Sequence, residues 1–381
     1  MPGTAPLPSS AQPPISTAAA APTSINGTRL IKKLGVKTLG GRFRADRAIG
    51  SSIGGATFSG TDTETGHRVF MKYLICPRGE GERAKFMTER DALENITQFP
   101  FDDVAPKVLH FEEFDDIQTI ALVTEWVGGE LLSTWLERAH LLTPLERLSV
   151  FHRVAYAMST ATRNYQHRDF HPGNIMLLPE SLVHMGPLVS QIDAKAGVKV
   201  LDWGEALPVI SGNYDDEPDH NFVMLAYAPR MIGGALTSLP PEVFRPWQRS
   251  VHFGGSYESW GLGLLLYRIL MLRPLEGFAS MGEYASEVHN GGLRALVSRR
   301  AAELAAMDLP GGLILPRLFE WTMKEKPQER AAMSDIGRVM WDLRYEELKI
   351  TDHRELSRYF ENPRKYEPKG GWRFSTFPDL D

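Results

Sequence analysis

Residues 165–177 read YQHRDFHPGNIML: Asp169 follows His-Arg, and Asn174 lies five residues after it. A carboxylate at the head of such a loop can orient a hydroxyl and accept its proton. An amide five residues later can help hold a metal ion on phosphates, so this spacing suits phosphoryl transfer. His171 stands two residues after Asp169. A second acidic position is Asp202 in VKVLDWGEA, where a β-rich run ends in Asp-Trp-Gly. An Asp at a strand end with a glycine turn behind it is well placed to bind Mg²⁺ on phosphates. Each stretch alone also reads as an ordinary turn; their order along the chain gives them weight.

Two segments nearer the N-terminus would have to complete such a site. In IGSSIGGATFSG, Gly50, Ser52 and Gly55 occupy the three positions of a G-x-G-x-x-G loop, with Ser at the second. Glycine lets backbone N–H groups approach a polyphosphate with no Cβ in the way. In VFMK, strand alternation puts Phe70 and Lys72 on one face, with Val69 and Met71 on the other. A Lys facing inward from a strand needs a partner, and Glu89 in FMTERDAL is the candidate.

The elements that must position these groups are legible in outline. Gly41–Ile49, Ala56–Asp62 and His67–Leu74 read as strands separated by Gly-rich or Thr-Glu-Thr-Gly turns. A helix is expected over Arg83–Ile96, then strands over Val108–Phe114 and Thr119–Glu125. From Leu131 the pattern turns helical. Thr143-Pro-Leu-Glu146 supplies a cap, a first-turn proline and a capping-box glutamate, opening a helix expected to reach about Asn164. Residues 1–28 are Pro, Ala, Ser, Thr and Gly-rich and bury too little to offset ordering entropy, so order is expected to begin near Leu39. After Met340, WDLRYEELKITDHRELSRYF reads as a helix that braces the preceding region.

Composition narrows the function classes. Net charge is −5, which leaves no basic footprint for nucleic acid. The one cysteine, Cys76, excludes an internal disulfide and fits a reducing, cytoplasmic compartment. The longest apolar run, GLGLLLYRILML, is short and carries Arg268, so it reads as a buried helix and no membrane span is expected. No signal peptide is expected, and oligomeric state is not legible.

Taken in order, Gly loop, V-x-x-K, helix Glu, H-R-D-x-x-x-x-N and D-x-G resemble the eukaryotic-type (Hanks-type) serine/threonine protein kinase family. The likeness runs from about Gly41 to Met340. LPPEVF, with Pro241 and Glu242, resembles the end of an activation segment. Glu258-Ser-Trp-Gly-Leu-Gly263 resembles the start of the buried central helix, with Glu for Asp. Pro327-Gln-Glu-Arg330 resembles the late P-x-x-R whose Arg pairs with that segment's Glu. LVTEWVGGE resembles the hinge, with Thr124 as gatekeeper.

The resemblance implies an α+β bilobal fold: an N-lobe over 39–126 with an antiparallel sheet and one helix, and a mainly helical C-lobe over 127–340. Tails would occupy 1–38 and 341–381. It implies Mg²⁺ and ATP, with Gly50, Ser52, Gly55, Thr57, Phe70, Thr124, Glu125 and Val127 around the nucleotide. Lys72, held by Glu89, would contact the α- and β-phosphates. Asn174 and Asp202 would hold the metal, Asp169 would position a serine or threonine hydroxyl of a protein substrate, and His171 would assist at the γ-phosphate.

The departures are as informative. Where serine/threonine kinases carry Lys, this chain has His171, and H-x-D-x-H-P-x-N is the form seen in aminoglycoside and choline phosphotransferases. A small-molecule phosphotransferase is therefore the competing reading. Glu242, Glu258 and Arg330 speak for the protein-kinase C-lobe instead. Phe70 replaces the usual Ala above adenine and Thr57 the usual Val, which opens the prospect of a shifted base or relaxed nucleotide choice. LLPESLVHMGPLVSQIDAKAG makes a long link between Asn174 and Asp202, expected to be a surface hairpin. Arg168 precedes Asp169 as in family members that bind an activation-loop phosphate; Ser211, Tyr214, Thr237 and Ser238 are candidate acceptors near the acidic run Asp215–Asp219. A pseudokinase scaffold is the third reading, against which Lys72, Glu89, Asp169, Asn174 and Asp202 are all present.

Overall fold

The computed structural model describes residues 27–52, 54–75, 80–98, 103–179, 197–208, 239–244, 256–275, 278, 280–344 and 348–367. The N-lobe is built on six antiparallel strands in the order β1-β2-β3-β4-β6-β5. These are β1 (Thr38–Leu39), β2 (Phe43–Ser52), β3 (Gly55–Asp62), β4 (Arg68–Ile75), β5 (Val108–Phe114) and β6 (Thr119–Glu125). In β4 the period of two sorts the side chains: Val69, Met71, Tyr73 and Ile75 are buried, while Phe70, Lys72 and Leu74 are half-buried on the other face.

The buried face packs with Phe43, Phe58 and Val123 and is covered by helix α1 (Gly27–Leu34) through Ile31. Order thus begins before Leu39. Ile31 and Val36 are 2% and 3% exposed, and Tyr73 Oη donates to the Val36 carbonyl at 2.9 Å. A sheet with two apolar faces needs a cover on each, which is why this short, Lys-rich segment is ordered. The opposite face receives α2 (Glu80–Ile96), which presents Phe86, Glu89, Ala92, Leu93 and Ile96 inward.

In the C-lobe, α3 (Leu132–Arg138) is followed by α4 (Pro144–Ala161), which opens as expected: Glu146 N donates to Thr143 Oγ1 and Thr143 N donates back to Glu146 Oε2. It packs against the apolar helix α5 (Tyr257–Met271). Gly261 and Gly263 let α5 approach its neighbours: a Cβ on Gly261 would lie 2.5 Å from Phe170, and one on Gly263 2.3 Å from Thr322 Oγ1. Helices α6 (Met281–Asn290), α7 (Gly292–Ala305), α8 (Ile314–Thr322) and α9 (Met333–Arg344) complete the lobe.

The single helix expected over 341–360 is two. Helix α9 ends at Arg344, and α10 (His353–Glu361) restarts from Asp352, whose side chain accepts from Arg354 N and Glu355 N. Tyr359 Oη donates to buried Asp342 at 2.8 Å, and Phe360 packs edge-on against Trp321, so α10 braces the lobe. Among the described residues no helix is long and apolar enough to cross a membrane. Residues 1–26, Cys76, the link at 180–196 and the candidate acceptors Ser211, Tyr214, Thr237 and Ser238 lie outside the described residues.

Candidate active site

Two short ladders fix the loop that carries Asp169 and Asn174. Strand β7 (Glu130–Leu131) pairs with β9 (Ile175–Leu177), which pairs with β10 (Val198–Val200); β8 (Tyr165–Gln166) pairs with β11 (Leu207–Pro208). Asp169 and Asn174 therefore sit beside strand β10, which ends two residues before Asp202. Leu201 N donates to the Asn174 carbonyl at 2.8 Å, and Asn174 Nδ2 donates to the Asp169 carbonyl at 3.0 Å and to Asp169 Oδ2 at 3.3 Å. Arg168 and Asp202 have φ of +65° and +56°. Each left-handed non-glycine residue costs about 1–3 kcal/mol and persists only where its surroundings impose it.

Those surroundings are identifiable. His167 is fully buried; Nε2 bonds the Leu201 carbonyl at 2.8 Å, so Nε2 carries the proton and Nδ1 accepts from Asp169 N at 3.3 Å. Burial pushes the His167 pKa down, which suits this neutral tautomer. Beneath the loop, Glu258 Oε1 accepts from Arg168 N at 3.2 Å, while Oε2 is buried with no partner among the described residues. Burial raises the Glu258 pKa to about 7, against backbone hydrogen bonds that lower it.

A pH dependence follows. The folded state holds a proton on Glu258 that the unfolded chain releases near the ordinary value of 4.5, so stability falls as pH rises from about 4.5 to about 7. The expected loss across that window is about 3 kcal/mol. Urea unfolding at several pH values checks it: Glu258→Gln is expected to flatten this component relative to wild type.

The third group centres on Lys72. Its Nζ lies 2.7 Å from Glu89 Oε2 and 3.1 Å from Asp202 Oδ1. Burial disfavours the ammonium, but the two carboxylates outweigh it and hold its pKa above the ordinary lysine value. Lys72 in turn holds Asp202 below the usual carboxylate range, whereas burial raises Glu89.

These groups line one cavity of about 510 Å³, with Gly50, Gly55 and Thr57 on its N-lobe side and Asp169 and Asp202 opposite. Five carboxylates, Glu82, Glu89, Asp169, Asp202 and Glu205, meet only Lys72 and Lys85 among its described lining residues. Such an excess of negative charge calls for a cation. Phe70, Thr124, Glu125, Val127, Asn174 and His171 stand outside this lining. Phe70 is register partner to Thr124, whose Oγ1 donates to the Glu125 carbonyl at 3.3 Å, and Ser52 pairs with Gly55. Gly173 N donates to His171 Nδ1 at 3.0 Å; His171 Nε2 lies 3.7 Å from Asp169 Oδ2. The ring is thereby turned toward Asp169. Asp169 Oδ1 is buried and has no partner among the described residues.

Comparison with known proteins agrees with this geometry. A family model described as "Protein kinase domain" matches residues 43–341. This chain belongs to the protein kinase family. It is also similar to serine/threonine-protein kinase PknA of Mycobacterium tuberculosis and of Mycobacterium bovis, 29% identical over 153 residues. That stretch covers 38% of this chain and 34% of each relative, so the match spans about a third of the relatives' length.

Within this kinase-family chain, the late elements are joined as the resemblance implied. Arg330 Nη1 and Nη2 donate to Glu242 Oε1 and Oε2 at 2.9 and 2.8 Å, with both side chains buried. Sequence reasoning missed three charged residues around the kinase cleft. Lys199, buried on β10, contacts Glu125 at the end of β6 and bonds Asp103 at 2.8 Å. Lys85 and Glu205 contact each other across the cavity wall. A lysine inside the apolar run VKVL was the available signal for the first; the other two join residues 120 positions apart and left none.

Proposed function

We propose that this chain transfers the γ-phosphoryl group of Mg²⁺·ATP to serine or threonine hydroxyls of protein substrates. The observation that carries the reading is the convergence of Glu89 and Asp202 on Lys72 in a cavity that also holds Asp169, one of whose carboxylate oxygens has no partner among the described residues. Lys72 would engage the α- and β-phosphates, which compete for an ammonium already oriented by Glu89. The acceptor oxygen attacks the γ-phosphorus, the bond to the β–γ bridging oxygen breaks, ADP leaves, and the hydroxyl proton passes to Asp169. Most of the acceleration would come from positioning and charge neutralisation.

Asp202 and Asn174 would hold the magnesium ion. Asp202 is kept ionised by Lys72. Magnesium favours one or two protein ligands plus phosphate oxygens and water over an all-protein cage. When bound it would neutralise charge developing on the phosphates. His171, turned toward Asp169, would help orient that carboxylate. Phe70 belongs to the base end of the cleft, where it would shape the choice of nucleotide.

The competing reading, a small-molecule phosphotransferase, rests on His171-Pro172 after the catalytic Asp. The buried Arg330–Glu242 pair favours the protein kinase, because it ties residues 239–244 to the base of α5 and so builds a platform for a peptide. The test is incubation with Mg²⁺ and γ-labelled ATP, with and without generic acceptor proteins, beside an Asp169→Asn control. Label on protein, absent in the control, is the expected result. ATP turnover stimulated by amino-sugars or alcohols, with no label on protein, would replace it with the small-molecule reading. ATP binding without turnover would favour a pseudokinase or an enzyme that waits for an activator.

A further inference from the structure

Lys85 lies one turn before Glu89 on α2, so the two share a helix face. Glu205 directly follows Asp202-Trp203-Gly204. Lys85 Nζ contacts Glu205 Oε1, and the two side chains are 31% and 29% exposed. Helix α2 therefore has two charged links to one short stretch of the C-lobe. The first runs from Glu89 through Lys72 to Asp202. The second runs directly from Lys85 to Glu205.

The two links differ in what turnover does to them. On the proposed phosphoryl-transfer reading, on which this inference rests, Lys72 and Asp202 must turn to phosphates and metal in every cycle, and the Lys72–Asp202 contact of the first link loosens. The second uses neither group. The chain at this junction is tightly constrained: Asp202 has positive φ, Trp203 is fully buried with Nε1 donating to the Val200 carbonyl at 3.0 Å, and its ring stacks edge-on with His167. Glu205 is thus presented from a fixed base, and whatever it holds inherits that position. A Cβ on Gly204 would lie 3.7 Å from Glu89 Oε2, so α2 is seated directly over this turn.

We infer that the Lys85–Glu205 pair is a latch that holds α2 against the Asp-Trp-Gly turn, keeping Glu89 within reach of Lys72 while Lys72 and Asp202 are occupied with nucleotide and metal. Both are positioning residues that act through Glu89. The pair is encoded in the sequence and needs no added phosphate. Because it is partly exposed, its strength falls with ionic strength.

The test compares Lys85→Met, Glu205→Gln and the charge swap Lys85→Glu with Glu205→Lys. Measured are kcat, KM for ATP, the unfolding midpoint, and amide hydrogen exchange over residues 80–96 in full-length protein without nucleotide. A half-exposed ion pair sets the scale. Each single variant is expected to lower kcat about fivefold and to speed exchange in α2 by a similar factor, with α5 unchanged. The swap is expected to restore both to within about twofold. Added salt is expected to lower wild-type kcat toward that of Lys85→Met, whose own salt response is weaker.

Unchanged kcat and α2 exchange in both single variants would overturn the latch, leaving Phe86, Leu93 and Ile96 to hold the helix. Lower activity together with a lower unfolding midpoint, unrescued by the swap, would overturn it in favour of a general packing role. If wild type transfers no phosphate, the kinase reading falls; α2 exchange alone then decides the latch.

Discussion

Asp169→Asn is expected to lower kcat by about 10²–10⁴-fold while leaving KM for ATP within about twofold and the unfolding midpoint unchanged. The split follows from the loop's bonds. Asp169 N and carbonyl are held by His167 and Asn174, so the backbone does not depend on the side-chain charge. An amide keeps one oxygen, enough to accept from Asn174 Nδ2 as Oδ2 does now at 3.3 Å. What is lost is the carboxylate as the proposed base: Asp169 Oδ1, which has no partner among the described residues, either stays as a neutral amide oxygen or is replaced by an NH₂ that can only donate. On the proposed reading the nucleotide would be bound from the other wall, by Lys72 and the glycine loop, so its affinity is expected to hold. Steady-state kinetics with a protein acceptor, alongside thermal melting, checks each part. A fall in kcat under tenfold, with the fold intact, would move the proton elsewhere and leave Asp169 as one hydrogen-bonding group among several.

The parts of this site that were legible are those in which chemistry dictates local spacing. Asp169 and Asn174 share a loop, so five residues of spacing suffice to bring Asn174 Nδ2 to Asp169. Lys72 was placed by strand alternation alone, and Thr143 by the capping rule. The strands Val108–Phe114 and Thr119–Glu125 emerge with the bounds expected, because an Asp-Asp turn punctuates them. What the sequence hid is long-range charge pairing. Lys199 and Glu125 are 74 residues apart, and Lys85 and Glu205 are 120 apart; nothing in either neighbourhood names the other. The same limit applies to α1. Its eight residues carry little apolar surface, and only the face of the sheet it covers makes it ordered. The orientation of His171 was hidden for a different reason. A backbone N–H two residues on captures Nδ1, and that choice depends on the turn Pro172-Gly173 makes rather than on residue type.

Arg330→Met is expected to destabilise the chain by about 3–5 kcal/mol. Removing the guanidinium would strand the Glu242 carboxylate, 3% exposed, where water cannot reach it. The other donors are committed as well: Nε to the Lys324 carbonyl at 2.9 Å, Nη1 to Ser256 at 3.0 Å and Nη2 to Glu325 at 3.3 Å. Arg330→Lys keeps the charge but supplies three donors from a point instead of five in a plane, so it is expected to recover only part of the loss. The double variant Arg330→Met with Glu242→Leu removes both charges and is expected to be more stable than Arg330→Met alone, since the isolated buried carboxylate is gone. Urea unfolding of the three proteins measures this, with equal m-values required for the comparison. The consequence for catalysis runs along one path. Ser256 precedes Tyr257 at the start of α5, Glu258 on the next turn position accepts from Arg168 N, and Arg168 holds the strained backbone before Asp169. The stable double variant is therefore expected to lose several-fold in kcat with the fold intact, because Arg330 no longer anchors the Ser256 carbonyl. If the double variant matches wild type in kcat, the loop's geometry is set by His167 and Glu258 without help from Arg330, and the buried pair serves the C-lobe's stability alone.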